Sequence, residues 1–232
     1  MTVFFRDDDA GWRDDRLMAL LDLFAAYAVP IDLAAIPRDM TAELADALVA
    51  RGDRQPLGLH QHGYAHSNHQ REGRKCEFGS DRSAREQLHD IGDGQRRLRE
   101  LLGPALDPIF TPPWNRCTAD TGAALVELGI GALSRDRTAE PLALDGLREL
   151  PVQVDWFATR KGAPLGRAAV GEQLAVRATE PAPLGVMLHH AEMDTEDMAA
   201  MEELVSLIAA HENVRCRSMT AVLEETIVEA AS

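Results

Sequence analysis

The chain has 232 residues, 45% of them hydrophobic, and 38 acidic against 24 basic residues give it a formal net charge of −14. A sizeable core is therefore available, phosphate backbones are repelled overall, and no apolar run approaches the roughly 18 residues of a membrane span, so neither nucleic acid nor membrane is expected as a partner. Cys76, Cys117 and Cys216 are odd in number, widely spaced and free of any C-x-x-C pair, which predicts idle thiols rather than a disulfide framework.

Residues 2–6 (TVFFR) read as a short strand, ended by three aspartates and Gly11. The opening MTVFFRDDDAGW has no basic n-region and no apolar h-region, so no secretory leader is expected and the cytoplasm is the expected location. In 14–27, Leu17, Leu20, Leu21 and Phe24 recur at helical spacing behind an acidic first turn. Pro30 opens a buried strand, IDLAAI, and 41–52 is a helix with Thr41 as N-cap and a closing glycine. PLGLH (56–60) is the next strand. A histidine-rich stretch and a polar loop to residue 80 follow it, and the basic run Arg71, Arg74, Lys75 in that loop reads as solvated. A long helix spans 83–103, weakened near Gly92 and Gly94, and DPIFT (107–111) is a strand leading into PPWNR. The pattern continues with a helix at 118–129, a strand at 130–134, an irregular connection, and an extended run at 147–156. Helices at 166–178 and 194–210 flank the strand LGVML (184–188), and 213–218 and 219–230 supply a last strand and helix.

Short apolar strands alternating with helices argue for parallel β/α units. Seven or eight such units predict an α/β fold of the closed or nearly closed barrel kind, with an open doubly wound sheet as the alternative. No repeat, low-complexity tract or linker interrupts residues 1–232, which predicts one domain.

The chemistry-bearing residues share one position. Asp7, Asp8 and Asp9 follow the first strand, His62 and His66 the third, and PPWN the fourth. Asp155 and Trp156 end the extended run, and His189 and His190 follow LGVML. Carboxyl ends of parallel strands lie on one face of a β/α fold, so residues far apart in sequence converge there. The spacing of His62 and His66 puts two imidazoles on the same side of a helical turn, as suits two ligands of one divalent metal. A carboxylate completing the set leaves positions open for water and substrate. Alternation along the strand end turns adjacent aspartates in different directions, so one can bind a cation and its neighbour can take a proton. On composition alone Asp7 reads as an acidic cap of the first helix. His60 ends its strand with a supporting role, and His69 is solvated. A histidine acting as an acid needs an orienting carboxylate, for which Asp155 is the candidate, with Trp156 walling the pocket.

The ordered set FRDDDAG, HGYAH, FTPPWN, VDW and VMLHH resembles the polysaccharide deacetylase family, carbohydrate esterase family four, over residues 3 to 190. The resemblance implies a distorted (β/α) barrel of about seven parallel strands. It implies metal-dependent removal of acetyl groups from N-acetylated, or in some cases O-acetylated, sugars. Carried over by motif, Asp8 is the general base, Asp9, His62 and His66 are the metal ligands, and the backbone N–H of Trp114 holds the oxyanion. His189 is the acid, with His190 as fallback, and Asp155 orients it. A slip to Asp7 and Asp8 for the functional pair stays open. Arg6, Pro113, Asn115, Arg116, Trp156 and His190 are expected to support the site or bind substrate. One departure stands out: the family begins its third motif with an arginine that pairs with the base, and here that place is Thr111, leaving Arg6 or Arg116 to supply the charge. One divalent ion is implied, zinc before cobalt, nickel, iron or manganese. The expected partner is a small acetylated, carbohydrate-like molecule. The alternatives are hydrolysis of a non-sugar C–N bond on the same fold, or a degenerate carbohydrate-binding module.

Overall fold

The structure, a computed structural model, describes residues 1–160 and 162–230. Strand and helix alternate through β1 (Thr2–Ala10), α1 (Asp14–Ala26), β2 (Ile31–Ala35), α2 (Ala42–Gly52), β3 (Leu57–His62), α3 (Ala84–Leu102), β4 (Leu106–Thr111) and α4 (Ala119–Glu127). Shorter pieces follow: β5 (Ala132–Leu133), β6 (Arg148–Glu149), β7 (Val154–Asp155) and a hairpin of β8 (Thr159–Arg160) and β9 (Ala163–Pro164). Then come α5 (Arg167–Arg177), β10 (Leu184–Leu188), α6 (Thr195–Ala210), β11 (Arg215–Cys216) and α7 (Met219–Ala230). The main sheet is parallel throughout, in the order β6-β5-β4-β3-β2-β1-β10-β7, with β11 on the free edge of the first residues of β1.

Both ends of that order come from one extended run. Leu150 and Val152 donate backbone hydrogen bonds to Leu133 and Arg135, each at 2.9 Å. Gln153 and Trp156 then donate to Gly185 and Met187 on the opposite edge, at 2.8 and 2.9 Å. The stretch read as 147–156 thus joins β5 to β10 and curls the sheet into the expected distorted (β/α) barrel. Counted with that run as one strand, and with the two-residue β11 left aside, it has the expected seven.

Alternation along β1 sorts side chains between two cores. Val3 and Phe5 point outward, into the layer shared with Leu17, Leu20, Leu21 and Phe24 of α1. Phe4 points into the barrel with Ile109, Ala132, Val152 and Met187, and Met219, Val222 and Leu223 of α7 close the bottom of that interior. The interior is crowded enough to dictate a glycine: a Cβ on Gly185 would lie 2.3 Å from Cζ of Phe4. At the amino ends of the strands, the fully buried Asp32 accepts from Met219 N–H at 2.9 Å and so ties α7 to the barrel. Burial, with the neighbouring Asp107 carboxylate, pushes the Asp32 pKa well above the usual carboxylate range.

Several boundaries differ from the sequence reading. β1 runs through all three aspartates to Ala10 instead of ending at Arg6, because Asp7 and Asp8 each find a buried partner of opposite charge. Helix α1 is preceded by Arg13 in left-handed backbone with no side-chain cap, so Asp7 does not cap it. Residues 63–66 form an irregular loop in place of a helical turn, with positive φ at Gly63 (56°) and His66 (50°). The β8–β9 hairpin was not anticipated. Among the described residues no helix is long and apolar enough to cross a membrane, and all three cysteines are free.

Gly185→Ala should cost about 1–3 kcal/mol by overpacking against Phe4. Urea titration should show that loss, and Phe4→Leu in the same background should recover part of it. For Asp32, a pKa raised on folding means a penalty that grows as pH climbs above the ordinary carboxylate value of about 3.9. Asp32→Asn should therefore raise Tm, by more at pH 8 than at pH 4.

Candidate metal centre and catalytic cleft

β1 delivers three consecutive carboxylates to three separate cationic or imidazole partners. Asp7, on the outward face, accepts from His190 twice: from the backbone N–H at 2.9 Å and from Nδ1 at 2.6 Å. The other ring nitrogen, Nε2, lies 2.6 Å from the carbonyl oxygen of Trp12. Both nitrogens face acceptors, so both carry hydrogen and the ring is an imidazolium. Burial opposes that charge, but Asp7 outweighs it and lifts the His190 pKa to about 9. His190 is fully buried and locks the end of β10 to the end of β1.

Asp8, on the inward face, meets Arg6 two residues earlier on the same face. The guanidinium donates from Nε to Oδ1 at 2.8 Å and from Nη2 to Oδ2 at 3.0 Å. Its remaining hydrogens go to Ser134 Oγ at 2.9 Å and Asn115 Oδ1 at 2.8 Å, with the Met187 sulfur at 2.9 Å. Burial raises the cost of ionising Asp8, yet Arg6, then His62 and His189, hold its carboxyl below the usual range. Thr111, at the position where a motif arginine was expected, takes a smaller part by meeting Nε2 of buried His60 at 2.9 Å. Desolvation and the nearby Arg6 charge drop the His60 pKa to about 3, so this ring is neutral. Arg116 lies elsewhere and donates to the Lys75 carbonyl at 2.8 Å.

A register shift between β1 and β2 past Asp7 leaves Asp9 with φ 71° and turns it away from Asp8. Its Oδ1 lies 3.2 Å from Nε2 of both His62 and His66 and has no hydrogen-bond partner. The three ligand atoms lie within 4.8 Å of one another. His62 Nδ1 sits 3.0 Å from the Thr111 carbonyl, which makes Nδ1 the donor and turns Nε2 toward Asp9. Burial, then the charge of His62, depress the His66 pKa to about 4, which keeps that ring neutral; at His62 burial is instead outweighed by Asp9 and Asp8, which raise its pKa. Burial also opposes ionisation of Asp9, but His62, then His189 and His66, hold it as a carboxylate. An orphaned buried oxygen facing two imidazole nitrogens is a donor set that suits a divalent cation, and these three residues fit the expected metal ligands.

Glu77 builds the loop that carries His66, and the sequence reading missed it. Its fully buried carboxylate accepts from Ala65 N–H at 2.8 Å, Tyr64 N–H at 3.3 Å and Ser67 N–H at 3.5 Å. A Cβ on Gly63 would fall 2.2 Å from Glu77 Oε2, so glycine stands there for space as well as for its positive φ. The only hint in the sequence is an acid between Cys76 and Phe78 in an otherwise polar stretch.

Above this centre, Trp114 and Asn115 are held in left-handed backbone, at φ 57° and 58°. Pro113 is buried against Gly63. The Trp114 ring packs 4.5 Å from the His66 ring, and Trp12 covers another side of His66 at 4.8 Å. Trp114 N–H has no hydrogen-bond partner among the described residues. His189 faces Asp8 at 4.0 Å, and its Nδ1 is buried without a partner. The orienting bond expected from Asp155 is not formed: Asp155 Oδ1 accepts instead from Phe157 N–H at 2.9 Å. Both residues nonetheless line one cleft of about 650 Å³, together with Trp114, Asn115 and Met187. Trp156 does not wall that cleft. It is packed into the outer core with Arg167 stacked over its ring, because its alternation along the strand end turns it away from the barrel.

By sequence the chain matches no protein-family model and no curated protein. By structure it is similar to a candidate polysaccharide deacetylase of Mycobacterium smegmatis, with TM-score 0.76 and 17% identity, covering 99% of this chain and 91% of that one. It is also similar to a family 4 carbohydrate esterase of Streptomyces lividans in complex with acetate (TM-score 0.63, 14% identity, 94% and 92% covered). The chain has the polysaccharide-deacetylase fold. The same fold includes a family 4 pseudoenzyme of Bacillus anthracis, with TM-score 0.67 and 12% identity, covering 96% of this chain and 65% of that one. A mutant of that pseudoenzyme is described as having restored activity. Within the polysaccharide-deacetylase fold, then, the shared architecture does not decide catalysis, and the local geometry has to carry the functional argument.

Replacing Arg6 by Met strands the buried Asp8 charge and should cost about 3–5 kcal/mol of stability, with Asp8→Asn in the same chain recovering much of it. Denaturant titration of the four proteins measures that coupling. The Asp7–His190 pair stabilises the fold fully below about pH 6.5, and that contribution is lost as pH rises through about 9, on the order of 3 kcal/mol in all. His190→Gln should flatten the stability profile between those limits.

Proposed function

We propose that residues 1–232 act as one catalytic domain, a metal-dependent deacetylase of small N-acetylated, carbohydrate-like substrates. The observation that carries this reading is the unpartnered Asp9 oxygen 3.2 Å from Nε2 of both His62 and His66, with an Arg-held Asp8 on one side and His189 4.0 Å from Asp8. Asp9, His62 and His66 would hold one divalent ion, zinc first. Such an ion, when bound, lowers the pKa of water and polarises a carbonyl.

Asp8 stays ionised and is the base that takes a proton from the attacking water. Arg6 fixes both its oxygens, so the carboxylate is preorganised and cannot rotate away. The free Trp114 N–H donates to the oxygen that becomes negative in the tetrahedral state; losing one such donor typically costs about 3 kcal/mol of barrier. His189, partly exposed to the cleft, protonates the leaving nitrogen, a poor leaving group without that proton. Asp155 is the acid that orients it, by turning from Phe157 N–H toward the unpartnered Nδ1. Deacetylases of the same fold support the reaction class. The buried Arg6, paired with both Asp8 oxygens, argues against a degenerate site, since it supplies from β1 the charge absent at Thr111.

The test is acetate release from a panel of acetylated sugars, with metal content measured in parallel. Asp8→Asn should abolish turnover and keep one ion per chain, and His66→Ala should lose both. Wild-type turnover in Asp8→Asn would remove the base assignment.

A further inference from the structure

The cleft beside the metal centre is cationic in a chain that is otherwise strongly acidic. Arg74, Arg116 and Arg137 all line it, and none has a carboxylate within 4 Å among the described ion pairs. Lys75 adds a fourth positive charge, with Nζ 5.8 Å from the Trp114 ring. The chain carries 38 acidic and 24 basic residues, so a surface taken at random would be negative. Two carboxylates, Asp136 and Asp155, also line the cleft, fewer than its three arginines, and each is engaged by a backbone N–H. Asp136 caps Thr138 N–H at 2.8 Å, and Asp155 is turned to Phe157 N–H. The basic groups are also placed. Arg137 is anchored by its backbone N–H to the Val152 carbonyl at 3.0 Å, and Arg116 by one guanidinium nitrogen to the Lys75 carbonyl. Burial, then the nearby charge of Arg74, pull the Arg116 pKa down. Repulsion left unrelieved in the free protein is relieved when an anion arrives, and guanidinium forks bind phosphate or carboxylate oxygens in pairs.

We infer that the substrate carries a compact anionic group, a phosphate or a carboxylate, which Arg74, Arg116 and Arg137 grip while the acyl group lies at the metal centre. The inference rests on the deacetylase reading for the acyl end alone; the anion site stands or falls by binding. A cleft of about 650 Å³ suits a monosaccharide-sized ligand with one such group rather than an extended polymer. It also gives the overall acidic chain a local field that attracts what its net charge would repel.

The experiment uses the full chain in two arms. In the first, calorimetry without added metal compares hexosamine, hexosamine 6-phosphate and the corresponding hexosaminuronate, none of which can be deacetylated. At least one anionic sugar should bind about tenfold tighter than the neutral one. That preference should fall as salt rises and collapse in Arg137→Gln and in Arg74→Gln, both exposed positions whose replacement leaves the core intact. Whether phosphate or uronate is preferred identifies which anion the cleft takes. Equal binding of neutral and anionic sugars overturns the inference. In the second arm, the N-acetylated counterparts are offered to the metal-loaded chain and kcat/KM is read. Acetate release with no preference for the anionic substrate overturns the inference and leaves the deacetylase reading standing. Arginine-dependent anion binding with no acetate released from any substrate does the reverse.

Discussion

A guanidinium with no access to solvent sits in the middle of this barrel, and the upper half of the structure is arranged around satisfying it. Arg6 is among the largest fully buried side chains. Its hydrogens reach Asp8 on its own strand, Ser134 beyond β5, Asn115 beyond β4 and the sulfur of Met187 on β10. A charge so enclosed is tolerated only when every donor is used. Four separate strand ends must therefore be in register before the cation is stable. Asn115 can reach it only because its backbone is left-handed, and the local strain there is held by the same contact.

Consecutive carboxylates are an electrostatic liability, and the strand resolves it by geometry. Asp7 goes outward to an imidazolium, Asp8 inward to a guanidinium, and Asp9, turned by the register shift, upward to the Nε2 atoms of His62 and His66. No two share a partner. The first two are neutralised within the protein. The third is left with an oxygen that has no hydrogen-bond partner among the described residues, and that imbalance is what supports the proposal that it binds a cation.

The sequence carried most of the fold and named the residues that the structure brings together at one end of the barrel, and it failed where distant contacts decide. Alternating apolar strands and helical periodicity were enough for the barrel, and the extended reading of 147–156 was right. The placement of polar clusters at strand ends located the site because that rule depends only on strand direction. The end of β1 was misjudged because three adjacent acids look like a turn unless their buried partners are known. The spacing of His62 and His66 suggested a helical turn; the loop has the same span in sequence but is shaped by Glu77, whose role no local pattern announces. The choice between His189 and His190 was undecidable from adjacency, since it depends on which ring faces Asp7. The replacement of a motif arginine by Arg6 was legible as a possibility, because residues two apart on a strand share a face. The Asp155 contact was expected by motif, and its carboxylate prefers a backbone donor in this conformation.

The one run that belongs to both edges of the sheet has a mechanical consequence. β6 and β7 contribute two residues each, against nine in β1 and six in each of β3 and β4. The barrel staves that carry the acid–imidazole cluster are thus long and doubly flanked, while the closing seam hangs on a few rungs. Opening free energies follow such differences. Gln153 and Asp155 ride on that seam and face the cleft. The molecule therefore pairs a stiff jaw, which holds the reacting groups, with a compliant one that can yield as a ligand enters and leaves.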